Sequence, residues 1–317
     1  MINFATLEAV RYPPELLPSC EYRTITTGNE GEVLNLTRLP RNLLVRLKDI
    51  IAVPSVAEQA VNAELRLKAD SEVFQVSAGA LPDRITEPTT FEPTQYDLLA
   101  SSSVRLAVYA IGDLDKYKIC HGLWVSKTTI ADKLALEIPL NAEEAAIDKE
   151  LGISKTVGRG TLPAKIDRFL LYEYLPIYRE TKAIIKTVPT GGIDVETLNP
   201  RRIGEQFIVL EKISAETPDD ADGNTRITIW RDDDGSPASP LLQLFTWSMG
   251  LTYDIPMFIP ARREIGIRCE TDTERSNYKI RYTFGIYLLN NILKMRWGLL
   301  TREDNPDLYK RVIGGIA

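Results

Sequence analysis

The chain is expected to be mainly β, an antiparallel β-sandwich or jelly roll with a small helical insertion and an extended N-terminal arm. Three observations point there. From Ile203 to Trp297 apolar and polar residues alternate in short runs, each closed by Asp, Gly, Pro or Asn, and a repeat of two residues is the mark of a half-buried strand. Residues 1–60 carry Pro13, Pro14, Pro18, Pro40 and Pro54, each of which removes a backbone donor and turns the preceding residue away from helix. The helix signal is clearest between Thr128 and Leu151, with a further helical turn read near Arg302 to Leu308.

In chain order, residues 1–60 predict an extended, proline-rich arm, with strands at Tyr22–Thr27 and Leu43–Val53, although LLVRLKDII in the second also fits a short helix. A β-rich domain follows over 61–190. Val61, Ala63, Leu65, Leu67 and Ala69 alternate as in a strand, although Ala, Glu, Leu, Arg and Lys also favour helix. Residues 79–97 carry three prolines and read as a long loop. Val104–Ile111 and Tyr117–Val125 predict a hairpin turning at Gly112-Asp113, a pair that tolerates positive φ.

The helical insertion spans 128–152. A short helix at Thr129–Glu137 precedes Pro139; then Asn141 is an N-cap, Glu144 completes a capping box, and Gly152 is the stop. Such a pair belongs on the outside of a sheet or against a partner. After a joint at 158–163 and a strand-like stretch at 165–188, residues 188–202 have the composition of a linker. The C-terminal sandwich is placed at 203–297, with Ile265, Ile267, Ile280, Tyr282 and Phe284 in its core, and an apolar tail at 298–317. No repeat recurs at a fixed period.

Composition narrows function mostly by what it disfavours. Net charge is −6 and the pI is near 5.2, a field that opposes nucleic acid, whose binding needs Lys and Arg against phosphates. Arg201-Arg202 and Arg262-Arg263 are the only basic doublets of arginine and read as solvated surface. No apolar run approaches the roughly 20 residues of a bilayer span, and the N-terminus has no signal-peptide pattern. Cys20, Cys120 and Cys269 lie far apart without a C-x-x-C pair, so three separate thiols are expected.

Chemistry-bearing motifs are scarce. The best metal candidates are the acidic turns Asp219, Asp220 and Asp222 before Gly223, and Asp232, Asp233 and Asp234 before Gly235. Calcium takes several oxygens at such turns, but neither has the closing Glu of an EF-hand, and Asp-Gly turns form for conformational reasons alone. The single histidine, His121, adjoins Cys120 on a predicted strand, so their side chains point to opposite faces and form no Cys–His pair. No nucleophile elbow, P-loop, dinucleotide fingerprint or H-E-x-x-H occurs. No catalytic, cofactor or metal residue is therefore assigned. Trp124, Trp230, Trp247 and Trp297 suit a core better than a sugar platform. Tyr172, Tyr174 and Tyr178 share a strand face and form a candidate contact face, joined as interface candidates by Tyr12, Trp297 and Ile313.

With its arm around Tyr12-Pro13-Pro14, its strand set from Ile203 to Tyr287 and its tail from Trp297 to Ala317, the chain resembles bacteriophage virion structural proteins. In these, arms and tails lock neighbouring β-sandwich subunits together. The long spine helix of the commonest viral shell fold is absent from the sequence pattern, so the resemblance implies an accessory, sandwich-type subunit. It implies a non-enzymatic assembly protein whose partners are copies of itself and other virion proteins, located in the virion and assembled in host cytoplasm. No cofactor, membrane or specific nucleic-acid site is expected. The alternatives are a carbohydrate- or ligand-binding sandwich in the cytoplasm and a glycoside-acting enzyme, which would need only two suitably spaced carboxylates.

Overall fold

The computed structural model describes residues 2, 7, 15–40, 42–53, 63–70, 72–76, 98–157, 176–199, 205–217, 225–231, 241–245, 247–248 and 255–316. Its first half holds β1 (Glu15–Ile25), β2 (Glu30–Leu36), β3 (Leu43–Val53), β4 (Ala63–Ala69), β5 (Glu72–Val76), β6 (Leu98–Ala100), β7 (Val104–Ala110) and β8 (Leu114–Lys127). They form two antiparallel layers, β6-β3-β8-β1 and β2-β7-β4-β5. The second half holds β9 (Tyr178–Val188), β10 (Ile193–Leu198), β11 (Gln206–Thr217), β12 (Arg226–Arg231), β13 (Leu242–Phe245), β14 (Trp247–Ser248), β15 (Ile255–Ala261), β16 (Ile265–Glu270) and β17 (Arg275–Leu288). Its layers are β15-β11-β17-β9 and β10-β16-β12-β13, with the two-residue β14 beside β11.

Set aside β14 and number the strands of each half by appearance. Both halves then run first-eighth-third-sixth in one layer and second-seventh-fourth-fifth in the other. This is a jelly roll, made twice. The sequence shows no repeat because side-chain identity has no fixed period; the duplication lies in the order of pairing. The rolls are welded edge to edge where β1 meets β15 at Leu16–Phe258, which makes their long layers one continuous sheet.

This organisation corrects several expectations. From Glu15 to Val53 the expected arm is three strands of the first roll. Its Pro18 lies on β1, and Pro256 and Pro260 lie on β15, so the seam strands are the proline-bearing ones. Proline is tolerated where a strand edge needs few bonds, and among the described residues β1 meets β15 at one residue pair, Leu16 and Phe258. The second roll starts at β9, before residue 203, and the expected linker at 188–202 contains β10. The hairpin expected at Gly112-Asp113 is instead an arch between layers, since β7 pairs with β2 and β4 while β8 pairs with β1 and β3. Asp113 ties that arch to the preceding turn by accepting the Thr27 N–H and hydroxyl at 2.8 and 2.7 Å. The alternation from Ala63 is a hairpin of β4 and β5, turning at Asp70, whose φ is +53°.

The inner faces form one core through both rolls, including Ile265, Ile267, Ile280, Tyr282 and Phe284 as expected. The first two and last three sit on facing layers, β16 against β17.

The helical insertion also forms as expected. Helix α1 (Ile130–Ala135) is capped by Thr129 and α2 (Ala142–Leu151) by Asn141, each with a capping box, and Gly152 ends α2 at φ +66°. After α3 (Ile153–Thr156) and the second roll come α4 (Asn291–Arg296) and α5 (Pro306–Gly314). These helices form a third layer over the outer face of the long sheet. Ala135 and Leu293 join Leu16, Trp124, Phe207 and Phe258 there in a separate apolar cluster.

Candidate interaction site

Two interior polar groups look like chemistry and turn out to be architecture. At the seam, Glu15 of β1 and Arg231 of β12 meet at 2.9 Å, both buried, and Arg231 also donates to the Pro260 carbonyl at 3.0 Å. A charge pair drawn from both rolls inside the core fixes their relative placement, because separating it strands a charge away from water. Within the first roll, Ser19 and His121 are direct cross-strand partners, and the Ser19 hydroxyl lies 3.5 Å from Glu21. The trio has the composition of a hydrolase triad without its access, since all three are buried. Burial holds the imidazole neutral, its pKa pushed down to about 3, and among the described residues neither ring nitrogen has a hydrogen-bond partner.

The cysteine expectation needs correction too. Cys20 and Cys120, 100 residues apart in sequence, stand opposite one another on β1 and β8 with Cα atoms 4.1 Å apart, and form a disulfide. Spacing along the chain hid a pairing that strand register creates. Cys269 is a free, buried thiol whose pKa burial raises.

A cavity of about 300 Å³ opens where the end of β8 meets α4 and α5, lined by Lys127, Thr128, Met295, Arg296, Tyr309 and Ile313. Burial lowers the pKa of Lys127, and the buried Thr128 hydroxyl has no hydrogen-bond partner among the described residues.

The outer rim differs from all of these. Strand β9 ends the long sheet, and among the described residues no strand pairs with its other edge. Large apolar side chains stand out along this rim: Ile177, Tyr178 and Ile185 are 55%, 49% and 64% exposed, and Leu288, at the end of neighbouring β17, is 60% exposed. Charged groups interleave with them. The Tyr178 hydroxyl donates to Glu180 at 2.8 Å, which raises the phenol pKa, and Lys182 lies 3.8 Å from Glu196 and over the Phe284 ring. Arg179 pairs with Glu211 at 2.7 Å, and Gly285 leaves the room this pair needs, since a Cβ there would fall 2.7 Å from the Glu211 carboxylate.

Of the expected interface residues, Tyr178 lies on this rim. Trp297 and Ile313 pack within the chain. Trp297 meets Phe207 edge-on at 5.1 Å, in an aromatic row that continues through Tyr287 and Phe258 to Trp124 and crosses the seam. Ile313 packs on the cluster of Ile130, Ile147 and Ile153, while Lys310 and Arg302 pair with Glu150 and Glu143 at 2.5 and 2.7 Å. The C-terminal tail is thus docked on its own helices. Tyr12, Tyr172 and Tyr174 lie outside the described residues, as do Asp219, Asp220, Asp222, Asp232, Asp233 and Asp234. Among the described residues no group of His, Cys, Asp and Glu is placed to hold a metal, and no helix is long and apolar enough to cross a membrane. Sequence reasoning missed Ile177, Ile185 and Leu288 as rim residues. Their signal, isoleucines among charged neighbours, is the same one that core strands give.

No protein-family model matches the chain, and no curated protein does. Among solved structures, the CUB1-EGF-CUB2 domain of human MASP-1/3 is 11% identical, with 86% of this chain and 99% of that one covered and a TM-score of 0.25. A chain of Sulfolobus turreted icosahedral virus is 9% identical, with 83% and 61% covered and a TM-score of 0.25. A chain of infectious bursal virus derived T=1 particles is 10% identical, with 88% and 70% covered and a TM-score of 0.22. Viral proteins and CUB-containing modules therefore both stand among the weak structural likenesses, and at these scores neither decides function.

Proposed function

We propose that this chain is a non-catalytic structural subunit that assembles through protein–protein contacts, of the kind that builds a virion as a capsid or capsid-associated component. The observation that carries the reading is the contrast between a sealed interior and an open rim. Charges in the core are paired across the seam, the C-terminal helix is docked on the chain itself, and large apolar side chains are left out along the terminal strand of the long sheet. Exposed apolar surface rimmed by polar groups is how interaction sites show themselves, and jelly rolls are recurrent building blocks of viral capsids. The partners are copies of itself and other virion proteins, and the place of action is the particle, assembled in host cytoplasm.

With the tail committed inside the subunit, assembly runs through the sheet rim. Light scattering on the purified protein over a range of concentrations should show a mass that rises in defined steps above that of one chain. A monomer at every concentration would overturn the reading.

The cavity beside Lys127 and Arg296 favours a second reading, a ligand-binding module. Its volume is at the lower end of small-molecule sites, and a saturable rise in Tm with a small carboxylic acid would support it.

A further inference from the structure

Resting on the assembly reading, we infer that the partner of β9 is the β9 of a second copy, paired antiparallel about a two-fold axis at Thr181. A two-fold contact uses the same patch on both subunits. For an edge strand it must pair residues of the same face, because a shift of one residue turns every side chain over. The strand's own sequence, Tyr-Arg-Glu-Thr-Lys-Ala-Ile-Ile-Lys-Thr-Val, then selects among the few registers left.

Centred on Thr181, each Glu180 stands opposite the other copy's Lys182, Tyr178 opposite Ile184, Ile177 opposite Ile185, and Arg179 opposite Ala183. Charge meets opposite charge and apolar meets apolar at both ends. Centred on Lys182, two lysines face each other, which is repulsive. Centred on Ala183, Glu180 still meets Lys186 and Tyr178 meets Val188, but Lys182 faces Ile184 and Thr181 faces Ile185, so a lysine and both isoleucines lose their complements. In the first register the exposed Ile177, just before β9, and Ile185, within it, cover one another across the axis. The product is one long sheet through both copies, closed as a pair because each rim is used up.

The same placement offers a competing occupant. The seam joins the first strand of one roll to the sixth of the other, so β9 and β6 are the free counterparts of the seam strands. Pairing of β9 with another copy's β6 would propagate without closing. Among the described residues β6 has three against eleven in β9, which leaves most of the rim uncovered, and the two-fold register is preferred for that reason.

Thr181→Cys tests the axis. Directly opposed residues in an antiparallel pair have Cα atoms about 4.5–5.5 Å apart, within disulfide range. The variant should become a covalent dimer on oxidation, whereas Ala183→Cys should not. Glu180→Lys and Lys182→Glu should each weaken the dimer about tenfold by setting like charges opposite one another, and the double exchange should restore it. Assembly that persists with neither a Thr181→Cys crosslink nor sensitivity to either charge reversal rejects this register while the assembly reading stands. Open-ended polymers blocked by changes at β6 would likewise overturn it. A protein that stays monomeric throughout removes both readings together.

Discussion

The two jelly rolls share a strand order and differ at their outer edges. Among the described residues, the first ends the long sheet in β6, three residues long, and the second in β9, eleven residues long with apolar side chains exposed. Short edge strands are one way proteins avoid joining their neighbours, and only the first roll uses it. The wrap of the chain therefore sets topology, and edge chemistry separately sets whether a roll is an end or a junction. A second difference is internal: Cys20–Cys120 staples the first roll, and the second has a lone buried thiol.

The largest expected effect tests that staple. Reducing the protein, or replacing Cys20 by Ser, should destabilise it by about 4–5 kcal/mol, the chain-entropy value for a loop near 100 residues. Hydrogen exchange should show protection lost in the first roll and kept in the second. Equal loss in both would mean that they unfold as a single unit.

Phe284→Ala puts the complementary lesion in the second roll. Its ring belongs to the core between β16 and β17, and truncation should cost about 3–5 kcal/mol. An unchanged Tm would refute that placement.

The seam is tested by Arg231→Met. Leaving Glu15 buried without its partner should cost about 3–5 kcal/mol, whereas the double variant with Glu15→Leu should recover most of the loss. Failure of the second change to rescue the first would show that the pair does not hold the rolls in register.

The smallest effect near neutral pH separates the rolls by acid sensitivity. His121 lies in the first roll, and burial depresses its pKa from 6.5 to about 3. The unfolded chain therefore takes up the proton first as pH falls. The stability gained from a neutral ring is complete above about pH 6.5 and is lost towards pH 3, at about 1.4 kcal/mol per pH unit. His121→Leu should flatten this acid limb in urea titrations at pH 7 and 4.5. An acid limb of the same slope in the variant would assign the loss to carboxylates such as Asp70. Burial raises the pKa of Asp70, but hydrogen bonds from Ser101, Ser103 and Ser102 outweigh this and hold it below the ordinary range.

Much of the fold is legible in local chemistry. The alternation in Glu264–Glu270 and Tyr278–Ile286 marks the facing sides of β16 and β17, because a strand buried on one side must alternate. Asn141, Glu144 and Gly152 mark both ends of α2, because caps satisfy backbone groups only a few residues away. The candidate site was less accessible. Tyr178 could be named as a contact residue, but Ile185 and Ile265 look alike along the chain and differ only in whether a second layer lies over them.

The sequence by itself determined the class, mainly β with one capped helical insertion, since period and capping are properties of neighbours in the chain. Tertiary structure decided which strands became partners. It turned an apparent hairpin at Asp113 into an arch between layers, set Cys20 against Cys120, joined Glu15 to Arg231 across the seam, and left β9 at the rim. Each of these depends on contacts between residues far apart in sequence, where any apolar strand can satisfy any other and only the packing of the whole chain selects among them.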